Sequence, residues 1–146
     1  MVAVDTNILV YAHREEYQEI HATSMALLRP LVEGREPWAI PYPCAYEFIA
    51  VVTHPRVFAK PTPINEALDV LADFADSADF QWLAESPGYF ETLRKVAEAA
   101  KVQGGRIHDA RIAALCLHHG VRELWTADRN FSLFPQLRTR NPLVKT

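Results

Sequence analysis

Cysteine is scarce in this chain of 146 residues: Cys44 and Cys116 are the only two, each in an apolar stretch. That excludes a disulfide framework, points to reduced core thiols, and makes the cytoplasm the expected location. Long apolar runs are missing as well. Arg, Glu, Asp or Pro interrupts every candidate before membrane-spanning length, so no membrane association is expected. No basic segment followed by an apolar one opens the chain, and Asp5 arrives too early for a secretory signal. A P-loop, a Gly-x-Gly-x-x-Gly fingerprint and a nucleophile elbow are all absent, which argues against nucleotide-loop and serine or cysteine nucleophile chemistry. The six histidines, at 13, 21, 54, 108, 118 and 119, lack zinc-ligand spacing.

Net positive charge is lacking too, the formal balance being -3. Its distribution is uneven. Between Pro61 and Leu93 there are acids but no Lys or Arg, whereas after Asp128 come Arg129, Arg138, Arg140 and Lys145 with no acid. Such asymmetry suits a basic rim beside an acidic pocket, although a solvated helix face is the favoured reading of the acidic stretch taken alone.

What is present is the composition of an ordinary globular protein, 49% hydrophobic and 23% charged, long enough for one domain spanning residues 1–146. Short β-like runs alternate with longer helical ones, which predicts an α/β fold with a parallel sheet. The expected strands are Val2–Asp5, Trp38–Ile40, Phe80–Leu83, Glu123–Ala127 and Leu137–Arg140. Helices are expected over Asn7–His13, Glu16–Glu33, Pro43–Thr53, Ile64–Ser77, Pro87–Lys101 and His108–His119. Stripes at helical spacing (Met25, Leu28, Leu31, Val32; Leu68, Leu71, Ala72, Ala75) read as core faces. His118 and His119 read as groups serving a helix C-terminus.

Four acids interrupt these apolar elements. Asp5 follows Val2-Ala3-Val4, Glu47 lies inside Cys44–Val52, Asp109 leads Ala110–Leu117, and Asp128 follows Leu124-Trp125-Thr126. Each has an innocent explanation: a helix cap for Asp5, a half-exposed helix for Glu47, the helix dipole for Asp109, a turn for Asp128. Their conjunction is harder to dismiss. Unpaired buried carboxylates are costly, and a hard cation, Mg2+ or Mn2+, would offset their repulsion. Strand ends and helix starts of a parallel sheet can bring all four to one edge. That chemistry suits phosphodiester hydrolysis. Arg106 and Arg129, with Arg111, Arg138 and Arg140, are candidate phosphate contacts, since a guanidinium fits a phosphate through its planar fork. Tyr11, Tyr46 and Phe131 fall near the expected site, with core packing as the favoured reading of each.

Asp5-Thr6-Asn7, the mid-chain Glu47, His108-Asp109-Ala110 and Trp125-Thr126-Ala127-Asp128-Arg129-Asn130-Phe131, in this order, resemble the PIN-domain ribonucleases, and in particular the VapC toxins of toxin–antitoxin pairs. Trp38–Val57, with Thr53-His54-Pro55-Arg56-Val57, resembles one VapC subgroup. The resemblance implies a three-layer α/β/α domain with a five-stranded parallel sheet. It implies Asp5, Glu47, Asp109 and Asp128 around one or two Mg2+ or Mn2+ ions, with Thr6 and Thr126 placing hydroxyls nearby and Asn7 orienting the first acid. Asn130 stands where many relatives carry another acid. An RNA substrate, a VapB-like antitoxin and a homodimer using the early helices and the Ile64–Ser77 region are likewise implied. Two other readings stay open: a non-catalytic interaction domain, and a phosphatase-like hydrolase using Asp5, for which Asn7 stands in place of the expected second Asp.

Overall fold

A computed structural model describes residues 1–144; Lys145 of the basic tail lies outside the described residues. Five parallel strands form one sheet in the order β3-β2-β1-β4-β5. They are β1 (Val2–Val4), β2 (Trp38–Pro41), β3 (Phe80–Leu83), β4 (Glu123–Trp125) and β5 (Thr139–Arg140). The helices are α1 (Thr6–His13), α2 (Glu19–Glu33), α3 (Tyr42–Val52), α4 (Ile64–Ala75), α5 (Tyr89–Ala99) and α6 (Ile107–His118).

The continuous apolar runs of β1 and β2 are what a strand covered on both faces requires, and every residue of both is buried. β1 pairs with β2 through Val2 opposite Trp38, and with β4 through Val4 opposite Trp125. The chain steps from β1 to β2 to β3 in one direction, then returns past β1 to β4. Right-handed crossovers accordingly put α1–α4 on one face and α5–α6 on the other, giving three layers. The reversal falls between β1 and β4, so their carboxyl ends open a crevice there.

Three expectations need correction. Glu16–Glu33 is not one helix: a 3₁₀ turn over Glu15–Tyr17 is separated from α2 by Gln18, whose φ of 58° and ψ of -114° break the helical path. In α4 the buried face is rotated by one residue. Ala67 and Leu71 point inward with Phe74 packed against the core, while Leu68 and Ala72 are exposed. In α2, Leu28 and Leu31 are buried but Met25 is exposed. Neighbouring elements, not periodicity, select which flank of a stripe is covered. The histidine pair, expected to serve the end of α6, instead ties it to the segment after β3 through Ser86 Oγ (2.6 Å from His118) and the Ala84 carbonyl (2.7 Å from His119).

At Gln18 a side chain occupies a conformation that glycine adopts without steric cost. Gln18→Gly is expected to raise stability by about 1 kcal/mol, seen as a higher denaturation midpoint with an unchanged denaturant slope.

Candidate active site

The crevice at the switch point holds a cavity of about 270 Å3 lined by all four acids: Asp5, Glu47, Asp109 and Asp128. Thr6 and Asn7 complete its polar lining, and Val10, Tyr11, Tyr17, Val51, Ile112 and Phe131 form its apolar wall.

Asp5 is its deepest polar group, only 5% exposed. Its backbone extends the sheet ladder by donating to the Trp125 carbonyl at 2.9 Å. Its carboxylate accepts three hydrogen bonds, none from a cation: Oδ1 from the Thr6 backbone N–H (2.7 Å) and the Cys44 thiol (3.3 Å), Oδ2 from the Thr126 hydroxyl (2.6 Å). Burial pushes the Asp5 carboxyl above its ordinary value of 3.8, outweighing those bonds, and the nearby Glu47 charge adds to the rise. Burial also raises the thiols of Cys44 and Cys116. Both are free and buried, as the sequence suggested, and so poor nucleophiles.

Glu47 lies in the second turn of α3, exposed to the cavity, where its Oε2 accepts the Thr6 hydroxyl at 2.8 Å. Asp109 stands in the first turn of α6, where the dipole favours a carboxylate. Arg106 reaches it at 3.4 Å across one helical turn, an exposed contact worth little by itself. Asp128 is not at the end of its strand: β4 stops at Trp125, and Asp128 instead caps a 3₁₀ turn over Arg129–Leu133 by accepting from the Asn130 N–H at 2.8 Å. Thr126 takes the place at the strand end. Its hydroxyl donates to Asp5 and accepts the Asp128 N–H at 3.0 Å. Asn7 holds the neighbouring loop by accepting from the Ala127 N–H at 3.3 Å. That is a positioning contact and leaves the phosphatase reading without its second acid.

The remaining candidates divide. Asn130 and Arg129 are exposed on the 3₁₀ turn and do not line the cavity. Arg138 and Arg140 pair with Glu123 at 3.3 and 3.9 Å, and Arg140 also lies over the Trp125 ring, so part of the basic rim is already neutralised. Arg111 is held by Glu85 at 3.0 Å. Phe131 is buried as expected, whereas Tyr46 is not: it stands mostly in solvent. Tyr17 and Cys44 were not singled out as site groups. Tyr17 reaches the cavity because the break at Gln18 turns the chain back there, packing its ring edge-on to Tyr11 at 4.8 Å; no sequence motif marks it.

An all-oxygen set of carboxylates is the donor chemistry of a hard divalent cation. Among the described residues no three His, Cys, Asp or Glu side chains stand close enough to hold an ion by themselves. The arrangement thus fits a cation that keeps much of its water shell, as Mg2+ usually does.

A PIN-domain family model matches residues 2–137. The chain belongs to the PIN-domain family. Among its relatives, the VapC ribonuclease Mb2897 of Mycobacterium bovis is 36% identical over 143 residues, covering 98% of this chain and 96% of that protein. Ribonuclease VapC48 of Mycobacterium tuberculosis is 30% identical, covering 94% of each. Among solved structures, VapBC2 from Rickettsia felis, bound to a DNA fragment from its promoter, matches with a TM-score of 0.60 at 20% identity, covering 96% of this chain and 98% of that one. At that identity the likeness shows a shared fold. No helix among the described residues is long and apolar enough to cross a membrane.

The raised Asp5 pKa has a definite sign in stability. Its protonated form contributes fully below the ordinary value of 3.8, and the contribution is lost as pH rises through the higher folded value. In EDTA, the melting temperature of Asp5→Asn should therefore gain on that of wild type as pH rises from 4 to 7, measured by thermal scans of both proteins across that range. A wild-type advantage that grows with pH would contradict the assignment.

Proposed function

We propose that the chain, acting as one domain over residues 1–146, is a VapC-type endoribonuclease that uses Mg2+ or Mn2+ to hydrolyse RNA phosphodiesters. One observation carries the reading: a buried carboxylate with no cationic partner shares a cavity with three further acids at the sheet's switch point. The named ribonuclease relatives, matched nearly end to end, support the same chemistry.

Asp5, Asp109, Asp128 and Glu47 would hold the cation, in part through its waters. When bound, the ion supplies Lewis acidity and lowers the pKa of an attacking water. Thr126 fixes the Asp5 carboxylate and, through its contact to the Asp128 backbone, the spacing between those two acids. Glu47, open to the cavity and steadied by Thr6, is placed to accept the proton that water loses as it attacks phosphorus. The bond from phosphorus to the 3′ oxygen breaks, leaving a 3′-hydroxyl and a 5′-phosphate. Arg106 and Arg129 stand exposed, near Asp109 and after Asp128 respectively, where a phosphate backbone can reach them. Asn130 keeps a supporting part through the backbone bond that fixes Asp128.

The biological setting we infer is that of a toxin, held in check by a VapB-like antitoxin whose Arg would supply the missing positive charge at the carboxylates. The complex described for the Rickettsia felis relative supports this partner. Exposed Met25, Ile64 and Leu68 on α2 and α4 suit a homodimer surface. Two buried free thiols fit a cytoplasmic place of action.

Purified wild type should cleave a mixed RNA pool with Mg2+ or Mn2+ and stop in EDTA, while Asp109→Asn should lose at least about tenfold in rate or metal affinity. Equal cleavage by both proteins, or cleavage indifferent to EDTA, would refute the mechanism. Thr126→Val, which removes the hydroxyl from Asp5 while keeping the shape, should weaken the metal dependence roughly 10- to 100-fold, read from a Mn2+ titration of the rate.

A further inference from the structure

Beside the main cavity lies a second hollow of about 250 Å3, lined by Pro43, Tyr46, Glu47, His108, Asp109, Arg111 and Ile112. It shares Glu47, Asp109 and Ile112 with the first, so the two hollows adjoin at these side chains. Tyr46, on its wall, is the outermost in a ladder of three stacked aromatic rings. Trp82 on β3 stacks on Tyr42 with ring centres 4.8 Å apart and planes 13° apart, and Tyr42 stacks on Tyr46 at 5.9 Å and 26°. Tyr42 and Tyr46 are one helical turn apart at the start of α3, hence on one face.

The inner two rings have a structural purpose. Trp82 and Tyr42 are half-buried and pack together beside the edge strand β3, with Phe80 edge-on to Trp82. Tyr46 has no such purpose. It is 58% exposed, and Tyr42 occupies only one of its faces. Its open ring lines the second hollow together with Glu47 and Asp109. His108 and Arg111 line the same hollow, Arg111 meeting Glu85 through Nε at 3.0 Å. A flat ring open to water, beside the Arg111 guanidinium and next to a phosphodiester-cleaving site, has the chemistry of a base-stacking step on a single-stranded nucleic acid.

We propose that Tyr46, backed by Tyr42 and Trp82, stacks an unpaired base of the RNA adjoining the scissile phosphate and so sets where the strand enters the acidic cavity. This assignment rests on the ribonuclease reading above. Stacking of this kind tolerates any base and requires the base to be unpaired, so the hollow selects single-stranded segments and not sequence.

The test compares wild type, Tyr46→Ala and Tyr46→Phe. Each is checked for folding by thermal scan and for cleavage of an RNA pool with Mn2+. Binding is then measured in EDTA by fluorescence anisotropy. The probes are a labelled single-stranded 12-mer RNA of mixed sequence and the same strand with abasic riboses. Wild type should prefer the base-bearing strand. Tyr46→Ala should weaken binding of that strand roughly 5- to 100-fold and leave the abasic strand unchanged, while Tyr46→Phe should match wild type. A wild type that cleaves RNA but holds both strands equally, or a Tyr46→Ala protein that still prefers bases, overturns the ladder and leaves the ribonuclease reading standing. A wild type that neither cleaves nor binds RNA removes that reading, and the ladder's assignment falls with it. Loss confined to binding of the antitoxin would make the ladder a protein-docking surface and overturn the proposal as well.

Discussion

A carboxylate buried at the centre of a sheet, held by neutral donors alone, is the constraint on which the rest of this structure turns. Asp5 follows the middle strand, and its own N–H continues the ladder to β4. It cannot move toward solvent without breaking strand pairing. Three donors from three elements converge on it: α1 through Thr6, α3 through Cys44, and the loop after β4 through Thr126. Those bonds fix its orientation but do not offset the loss of water around its charge, because burial still dominates its protonation. The fold has built a place where a buried carboxyl group meets only neutral donors.

Glu123 shows that this is not how the same sheet treats every acid. It is as buried as Asp5, and it sits on the strand next door. Yet the Trp125 indole N–H, Arg138 and Arg140 all meet its carboxylate, two of them charged. Breaking such an arrangement would leave one charge stranded, so it reads as structure. Two buried carboxylates a few residues from one another in the sheet thus have opposite electrostatic environments. The difference lies in which end of β4 they occupy: Glu123 begins the strand, and Asp5 pairs beyond its far end, where the crevice opens. Position relative to the switch point separates the acid paired with arginines from the acid that faces the cavity.

Much of this was legible in the residues themselves. Continuous apolar runs marked β1 and β2 because both faces of those strands are covered, and the interrupting acids marked the site because a core has no use for an unpaired charge. What the pattern could not reveal depended on partners distant in the chain. Leu68 and Ala67 are equally compatible with helical spacing; the small Ala67 is the one buried where α4 meets α3. Tyr46 sits in an apolar run that reads as core, yet the bulk of Tyr42 and Trp82 already closes that edge and leaves it outside. Tyr17 enters the cavity only through a backbone angle at Gln18, which has no signature in composition. Glu123 gave no signal as a buried acid, because its arginine partners lie fifteen and seventeen positions later and are paired through strand register.

The two threonines tie three of the four acids to one another. Thr6 gives its backbone N–H to Asp5 and its hydroxyl proton to Glu47, so one residue spans the first two acids. Thr126 gives its hydroxyl proton to Asp5 and accepts from the backbone of Asp128, spanning the first and the last. Asp5 is the hub of both links, and its neighbours are positioned relative to it, not to each other. Asp109 alone hangs outside this network, answering to the dipole of α6 and to Arg106 on the surface. Two acids, Asp5 and Asp128, are therefore placed beside the sheet edge, a third, Glu47, by α3 on one face, and the fourth, Asp109, by α6 on the other. The distance across the crevice is set by how α6 packs, and a bound cation would be the element that joins the two sides of the sheet.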